Sequence, residues 1–202
     1  MSSRSGWLIV FEGLDQSGKQ TQSERLRDLL RAQGREVRLL SFPDYATSIG
    51  REIADALRGQ RDYGADVMQL LYIANRYEHR AAIERGLSEG VVFVCDRYMA
   101  SSVAYGEAMG LEPAWLEGAQ QFLPRPDLTI LLDIAPERAA ARKLADRDKY
   151  ERDLALLGRV RQSYLRQSQA GWVILDASGD RDAIAARVQA AVADRLGPAL
   201  AL

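Results

Sequence analysis

With only one cysteine, the chain cannot close an internal disulfide, and Cys95 lies in an apolar run ending at Asp96, where it reads as a small buried hydrophobe of an intracellular protein. An excess of one charge is also missing. The 27 basic residues face 28 acidic ones, for a formal net charge of −1. No global field favours nucleic acid or an acidic membrane, so any anion site must be local. No apolar stretch reaches membrane-spanning length, and the residues before Trp7 are too few and too polar for a signal peptide. Internal repeats and low-complexity tracts are lacking as well. The expectation is a cytoplasmic protein that binds neither nucleic acid nor membrane. Its 202 residues suit one compact domain over 1–202, able to bury about 70% of its unfolded surface.

Short apolar runs alternate with longer helical patterns. Five runs read as strands: Trp7 to Phe11, Val37 to Phe42, Val91 to Cys95, Leu128 to Asp133, and Trp172 to Leu175. Their hydrophobicity is continuous rather than alternating, which argues for a parallel sheet covered by helices on both faces. Ligands of such a sheet bind at the carboxyl ends of the strands. Gly13, Phe42-Pro43, Asp96-Arg97, Asp133 and Asp176 all fall there, so most of the unusual polar residues converge on one rim.

The segment Gly13-Leu14-Asp15-Gln16-Ser17-Gly18-Lys19-Gln20-Thr21 follows the first strand and precedes the helical pattern Leu26, Leu29, Leu30. A strand, a glycine-rich turn and a helix N-terminus make a phosphate-binding loop. Backbone N–H groups wrap the β-phosphate, the helix dipole adds positive potential, and Lys19 bridges the phosphates of a nucleoside triphosphate. Gln20 departs from the pattern, since a Ser or Thr normally places a hydroxyl on Mg²⁺ there. Asp96 and Arg97, side by side at the third strand's end, have the chemistry to hold a hydrated Mg²⁺ and a second phosphate group respectively; the plain alternative is a capping Asp beside a surface Arg. Tyr72 and Arg76 stand at i and i+4 on the pattern Asp66 to Gly86, where an aromatic ring beside a guanidinium can stack a base and bond its carbonyl; periodicity alone makes Tyr72 a core or rim aromatic. Six basic residues (Arg138, Arg142, Lys143, Arg147, Lys149, Arg152) crowd a stretch also carrying Asp146, Asp148 and Glu151. That stretch, about 137–152, reads as a basic lid over phosphates, with a solvated charged helix explaining part of it.

Together these pieces resemble the thymidylate kinases over nearly the whole length. The resemblance rests on Phe11-Glu12-Gly13-Leu14-Asp15 leading into Gly18-Lys19, and on Phe42-Pro43-Asp44-Tyr45 with Thr47 and Gly50. It extends through Leu71-Tyr72 to Asn75-Arg76, Asp96-Arg97-Tyr98 with Ser101 and Ala104-Tyr105, Leu132-Asp133 with Pro136-Glu137, and Asp176-Ala177. It implies a P-loop three-layer α/β sandwich, ATP and Mg²⁺ as cofactors, dTMP as substrate and a homodimer. It further implies that Tyr72 stacks on thymine, that Arg76 binds the base carbonyl edge or the 5′-phosphate, and that Arg97 holds the monophosphate. Ser101 and Ser102 then line the base pocket with Phe42, and Tyr105 presses where a ribose 2′-hydroxyl would sit. Asp15 reaches the sugar 3′-hydroxyl, and Asp176-Ala177 lie near the adenine. Gln16 stands where some members carry a loop arginine, which leaves Arg142 and Arg147 of the lid to supply that charge. Tyr45 replaces a phosphate-binding arginine of other members, so Arg76 and Arg97 carry more of the acceptor phosphate.

No general base is required, because a nucleoside monophosphate has a second pKa of about 6 and its oxygens are already anionic at neutral pH. The single histidine, His79, is expected on the rim rather than in the chemistry. A regulatory nucleotide-binding module, or an inactive relative that lost Mg²⁺ chemistry with Gln20, would leave the lid and acceptor residues without a task. A deoxynucleoside kinase would normally carry Glu-Arg-Ser in place of Asp96-Arg97-Tyr98.

Overall fold

The computed structural model describes residues 5–142, 153–168 and 171–197. The five expected strands form: β1 (Trp7–Glu12), β2 (Val37–Ser41), β3 (Val92–Asp96), β4 (Leu128–Asp133) and β5 (Val173–Asp176). They make one parallel sheet in the order β2-β3-β1-β4-β5. Boundaries shift by a residue where the last expected position turns away. Phe42 leaves β2 through a cis peptide to Pro43, and Val91 and Trp172 precede their ladders.

Between the strands run α1 (Lys19–Ala32), α2 (Ser48–Leu57), α3 (Ala65–Ser88), α4 (Met99–Ala108), α5 (Pro113–Ala119), α6 (Pro136–Ala141), α7 (Leu154–Gln167) and α8 (Arg181–Leu196). Successive strand side chains point to opposite faces, so β1 feeds two cores. Ile9 and Phe11 pack with Leu26 and Leu30 of α1 and Ile184 and Val188 of α8. Leu8 and Val10 pack with Ile83 and Leu87 of α3. Helices therefore cover both faces, and the continuous apolar strands follow from that double burial. Cys95 is fully buried, and burial pushes its thiol well above the ordinary range, as suits a small hydrophobe. Among the described residues, no helix is long and apolar enough to cross a membrane.

This order puts β1 and β3 side by side, with Phe11 opposite Asp96. The loops leaving those two strands, Gly13–Gly18 and Arg97–Tyr98, therefore meet at the carboxyl edge of the sheet.

Candidate active site

Glycine is required where the phosphate loop leaves β1. Gly13 has φ +141°, and a Cβ there would lie 2.5 Å from the Leu132 carbonyl oxygen. Gly18 (φ +98°) and Gln16 (φ +63°) complete the left-handed turns that fold the loop over the start of α1. That helix has no side-chain cap and no acidic residue in its first turn, so its leading N–H groups are left for an anion. Two more polar groups lie beside them. The Ser17 hydroxyl is buried without a hydrogen-bond partner, and the buried Lys19 Nζ donates to the Leu14 carbonyl at 2.7 Å. Burial brings the Lys19 ammonium down to about 8.

Residues Asp15 to Thr21 line one cleft together with Asp96, Arg97, Arg142 and the segment Gly179–Arg181. Arg142 closes its edge by donating to the Gln16 carbonyl at 3.0 Å and the Ala177 carbonyl at 2.7 Å. Asp176, next to Ala177, receives the Ser178 N–H on its carboxylate at 2.8 Å. Gln20 is exposed at the edge of the cleft, and its amide donates along the helix to Glu24 Oε1 at 3.0 Å. Asp96 Oδ1 is buried with no hydrogen-bond partner, a carboxylate oxygen fit for a hydrated cation. Arg147 lies outside the described residues.

A second cleft opens on the other side of Asp15 and Arg97. It is lined by Phe42, Tyr45, Tyr72, Arg76, Ser101, Ser102 and Tyr105, so every residue expected to bind the acceptor is brought together. Asn75, one turn from Tyr72, explains the shape of the Phe42-Pro43-Asp44 wall. Its Oδ1 accepts the Asp44 N–H at 2.7 Å, and its amide donates to the Asp44 carbonyl at 3.2 Å and Thr47 Oγ1 at 2.9 Å. His79 stands at the rim, with Nε2 3.0 Å from Asp44 Oδ2 and its ring edge-on to Phe42. Arg76 is buried and donates to Ser102 Oγ at 2.7 Å; burial brings it down to about 10, still charged at neutral pH.

Arg97 joins the two clefts. Its backbone is left-handed (φ +66°), a conformation that costs a non-glycine residue about 1–3 kcal/mol. Surrounding contacts hold it there. The Arg97 N–H donates to the Phe11 carbonyl at 2.9 Å, Nη1 donates to Ser101 Oγ and Tyr164 Oη at 3.1 Å each, and Nη2 donates to Asp15 Oδ1 at 2.7 Å. Burial would raise the Asp15 carboxyl, but Arg97 and Lys19, with hydrogen bonds from Arg97 and Tyr105, hold it well below the usual carboxylate range. Tyr105 also lays its ring against the Arg97 guanidinium, 5.3 Å away, and donates to Asp15 Oδ2 at 2.9 Å.

Beneath Arg97 lies the fully buried carboxylate of Glu12. It accepts the N–H groups of Tyr98 (2.9 Å) and Ser101 (3.3 Å), capping α4 from the neighbouring strand, along with the hydroxyls of Ser101 (2.7 Å) and Tyr164 (3.2 Å). Sequence reasoning missed Tyr164, Gln69, and the Gly179–Arg181 wall. Gln69 was legible in principle, as it sits one turn before Tyr72. Tyr164 carried no signal, because only the packing of α7 against α4 brings it to Arg97.

Comparison with known proteins gives a consistent result. A thymidylate kinase family model matches residues 11–188. The chain is 36% identical over 191 residues to the thymidylate kinase of Arabidopsis thaliana, covering 95% of this chain and 72% of the relative. It is 35% identical over 189 residues to that of Homo sapiens, covering 91% and 88%. A solved thymidylate kinase from Candida albicans superposes with a TM-score of 0.81 at 28% identity, over 94% of this chain and 92% of the other.

Proposed function

Since the chain belongs to the thymidylate kinase family, we infer that it transfers the γ-phosphoryl group of ATP to dTMP, yielding dTDP on the way to dTTP. The observation that carries this reading is the pair of clefts meeting at Asp15 and Arg97, one built for a triphosphate and the other for a base, a sugar and a phosphate.

In this reading the loop N–H groups and Lys19 hold the donor phosphates, with Leu14 and Gly13 shaping the turn. Arg76, beside Ser102, binds the carbonyl edge of the base, and Arg97 holds the acceptor phosphate so that one of its anionic oxygens faces the γ-phosphorus. The bond from that oxygen to phosphorus forms as the β,γ-bridging bond breaks, and the leaving oxygen's charge remains on ADP. Catalysis is positioning and electrostatics, with no proton to remove. Asp15 turns from Arg97 toward the sugar, Tyr105 flanks that sugar, and Tyr72 stacks on the base between Phe42, Tyr45 and the serines. Arg142 and Arg147 belong to a lid over about 137–152 that brings positive charge to the transferred group, with Asp176-Ala177 beside the adenine.

We further propose Mg²⁺ as the metal. When bound, it neutralises charge on the β- and γ-phosphates. Asp96 would hold it through water, an assignment its buried, unpartnered oxygen supports, and Gln20 would contribute little. A single domain over 1–202, a cytoplasmic location and a homodimer complete the proposal. Exposed Val67 and Leu70, one turn apart on α3, suit a partner's surface, and sedimentation at micromolar concentration tests the dimer.

The main test is ADP release with a panel of nucleoside monophosphates. Turnover should be selective for dTMP, with dUMP slower, since a missing methyl costs about 1–3 kcal/mol in an apolar pocket. Comparable rates on AMP, CMP or GMP would overturn it.

A further inference from the structure

Gln69 borders the acceptor cleft, is 1% exposed, and has a side-chain oxygen without a hydrogen-bond partner. A buried, unpaired amide oxygen is a standing cost to the folded chain, and native structures retain one where something outside the fold satisfies it. Packing accounts for the stem of this side chain but not for its head. A Cβ added at Gly106 of α4 would lie 3.3 Å from the Gln69 Cγ, so the aliphatic part is fitted against α4. An apolar side chain of similar length would serve there as well.

The position along α3 supplies the rest of the argument. Gln69, Tyr72 and Arg76 stand at i, i+3 and i+7 and therefore share one stripe of the helix. The Tyr72 ring thus has a polar head one turn to either side. Arg76 matches Gln69 in one respect, since its Nε is also buried without a partner while Nη1 is engaged by Ser102. An aromatic face flanked by a free acceptor and a free donor is suited to a planar heterocycle that offers both kinds of group along one edge.

We propose that Gln69 is a specificity-determining residue that reads the imide edge of a pyrimidine-2,4-dione. Its Oε1 accepts the N3–H of the base and its Nε2 donates to a flanking carbonyl oxygen. The assignment rests on the reading that this cleft takes dTMP. A carboxamide can turn over and present its donor to N3 of cytosine instead, so Gln69 alone does not separate thymine from cytosine. Arg76 makes that separation, because a guanidinium only donates: it donates to O4 of a dione and repels the exocyclic amine that cytosine carries there. What Gln69 adds is rejection of any ring whose N3 bears a substituent, since neither orientation of the carboxamide can then pair with it. Such rejection is severe, because the buried amide is then left unpaired.

Two substitutions and one altered substrate test this. Gln69→Met keeps length and removes polarity. Without ligand it should melt at the same temperature as the unsubstituted chain or higher, yet lose about tenfold or more in kcat/KM for dTMP. Gln69→Ala makes room at N3. The penalty for N3-methyl-dTMP relative to dTMP, about a hundredfold or more in the unsubstituted chain, should shrink to below about tenfold in this variant. A Met variant that melts lower while keeping dTMP efficiency makes Gln69 a packing residue and overturns the proposal, as does an N3-methyl penalty that survives in the Ala variant. If the unsubstituted chain neither binds nor turns over dTMP, the substrate reading fails first. If it does and the penalty is unmoved, only the Gln69 assignment fails.

Discussion

Lys19 and Arg97 are both cations in a low-dielectric rim, yet burial acts on them differently. Arg97 keeps its charge because Asp15 sits 2.7 Å away, whereas Lys19 has only a carbonyl for a partner and drops to about 8. Between that value and the unfolded value of about 10.4, the folded chain holds fewer protons than the unfolded one, so this group adds stability as pH rises through the window. Nucleotide binding reverses the balance by bringing phosphates to Nζ. ATP binding should therefore take up a fraction of a proton at pH 8 and almost none at pH 6.5, with affinity falling about tenfold between pH 8 and 9.5. Calorimetry in buffers of different ionisation enthalpy reads this directly, and absence of uptake at pH 8 would mean that Lys19 is already fully charged. A second residue-scale expectation concerns Tyr164. Its hydroxyl joins Arg97, Ser101 and Glu12, so Tyr164→Phe should lower kcat/KM for dTMP about tenfold and leave the KM for ATP unchanged, by the weight of one hydrogen bond to a charged group. Equal effects on both substrates would place the damage elsewhere.

Among the elements, the phosphate loop was the most legible, because its glycines, its lysine and its flanking strand and helix are contiguous in sequence. What the pattern did not reveal is why Gly13 is needed: besides a positive φ, it meets the neighbouring β4 backbone. Gly13→Ala should destabilise the chain by about 3 kcal/mol, combining backbone strain with a clash against the Leu132 carbonyl, and should abolish detectable ATP binding. Thermal melting and nucleotide titration check both, and a variant that melts within about 1 °C of the unsubstituted chain would contradict the tight approach. The five strands were legible from their apolar runs, and the stripe of α3 from its spacing. The wall formed by Gly179–Arg181 was not, because residues so far along the chain reach the loop only through the packing of α8 on α1, tied by the Gln22 amide to the Arg181 carbonyl. Glu12 was legible as part of a motif, but its task of capping α4 from the adjacent strand was not, since it depends on the β1–β3 register.

On the scale of the whole molecule, a chain of net charge −1 gathers Lys19, Arg76, Arg97 and Arg142 on one rim, which is how balanced composition and anion binding coexist. Ligands should therefore stabilise the fold strongly. ATP or dTMP at 100 times its dissociation constant contributes about 2.7 kcal/mol, a rise in melting temperature of about 5–10 °C for a domain of this size, and the two together should exceed either alone. Scanning calorimetry with each ligand and the pair decides, and additivity failing in the negative direction would mean that the clefts compete. The strand order has one more outcome, which concerns the chain while it is being made. β1 is the central strand, yet it leaves the ribosome before either of its neighbours, and the Leu8 N–H waits for Asp127, 119 residues later. A growing chain therefore carries an apolar strand unpaired until β3 emerges, and with one edge still open until β4 follows, a span in which chaperones rather than nucleotide must shield it.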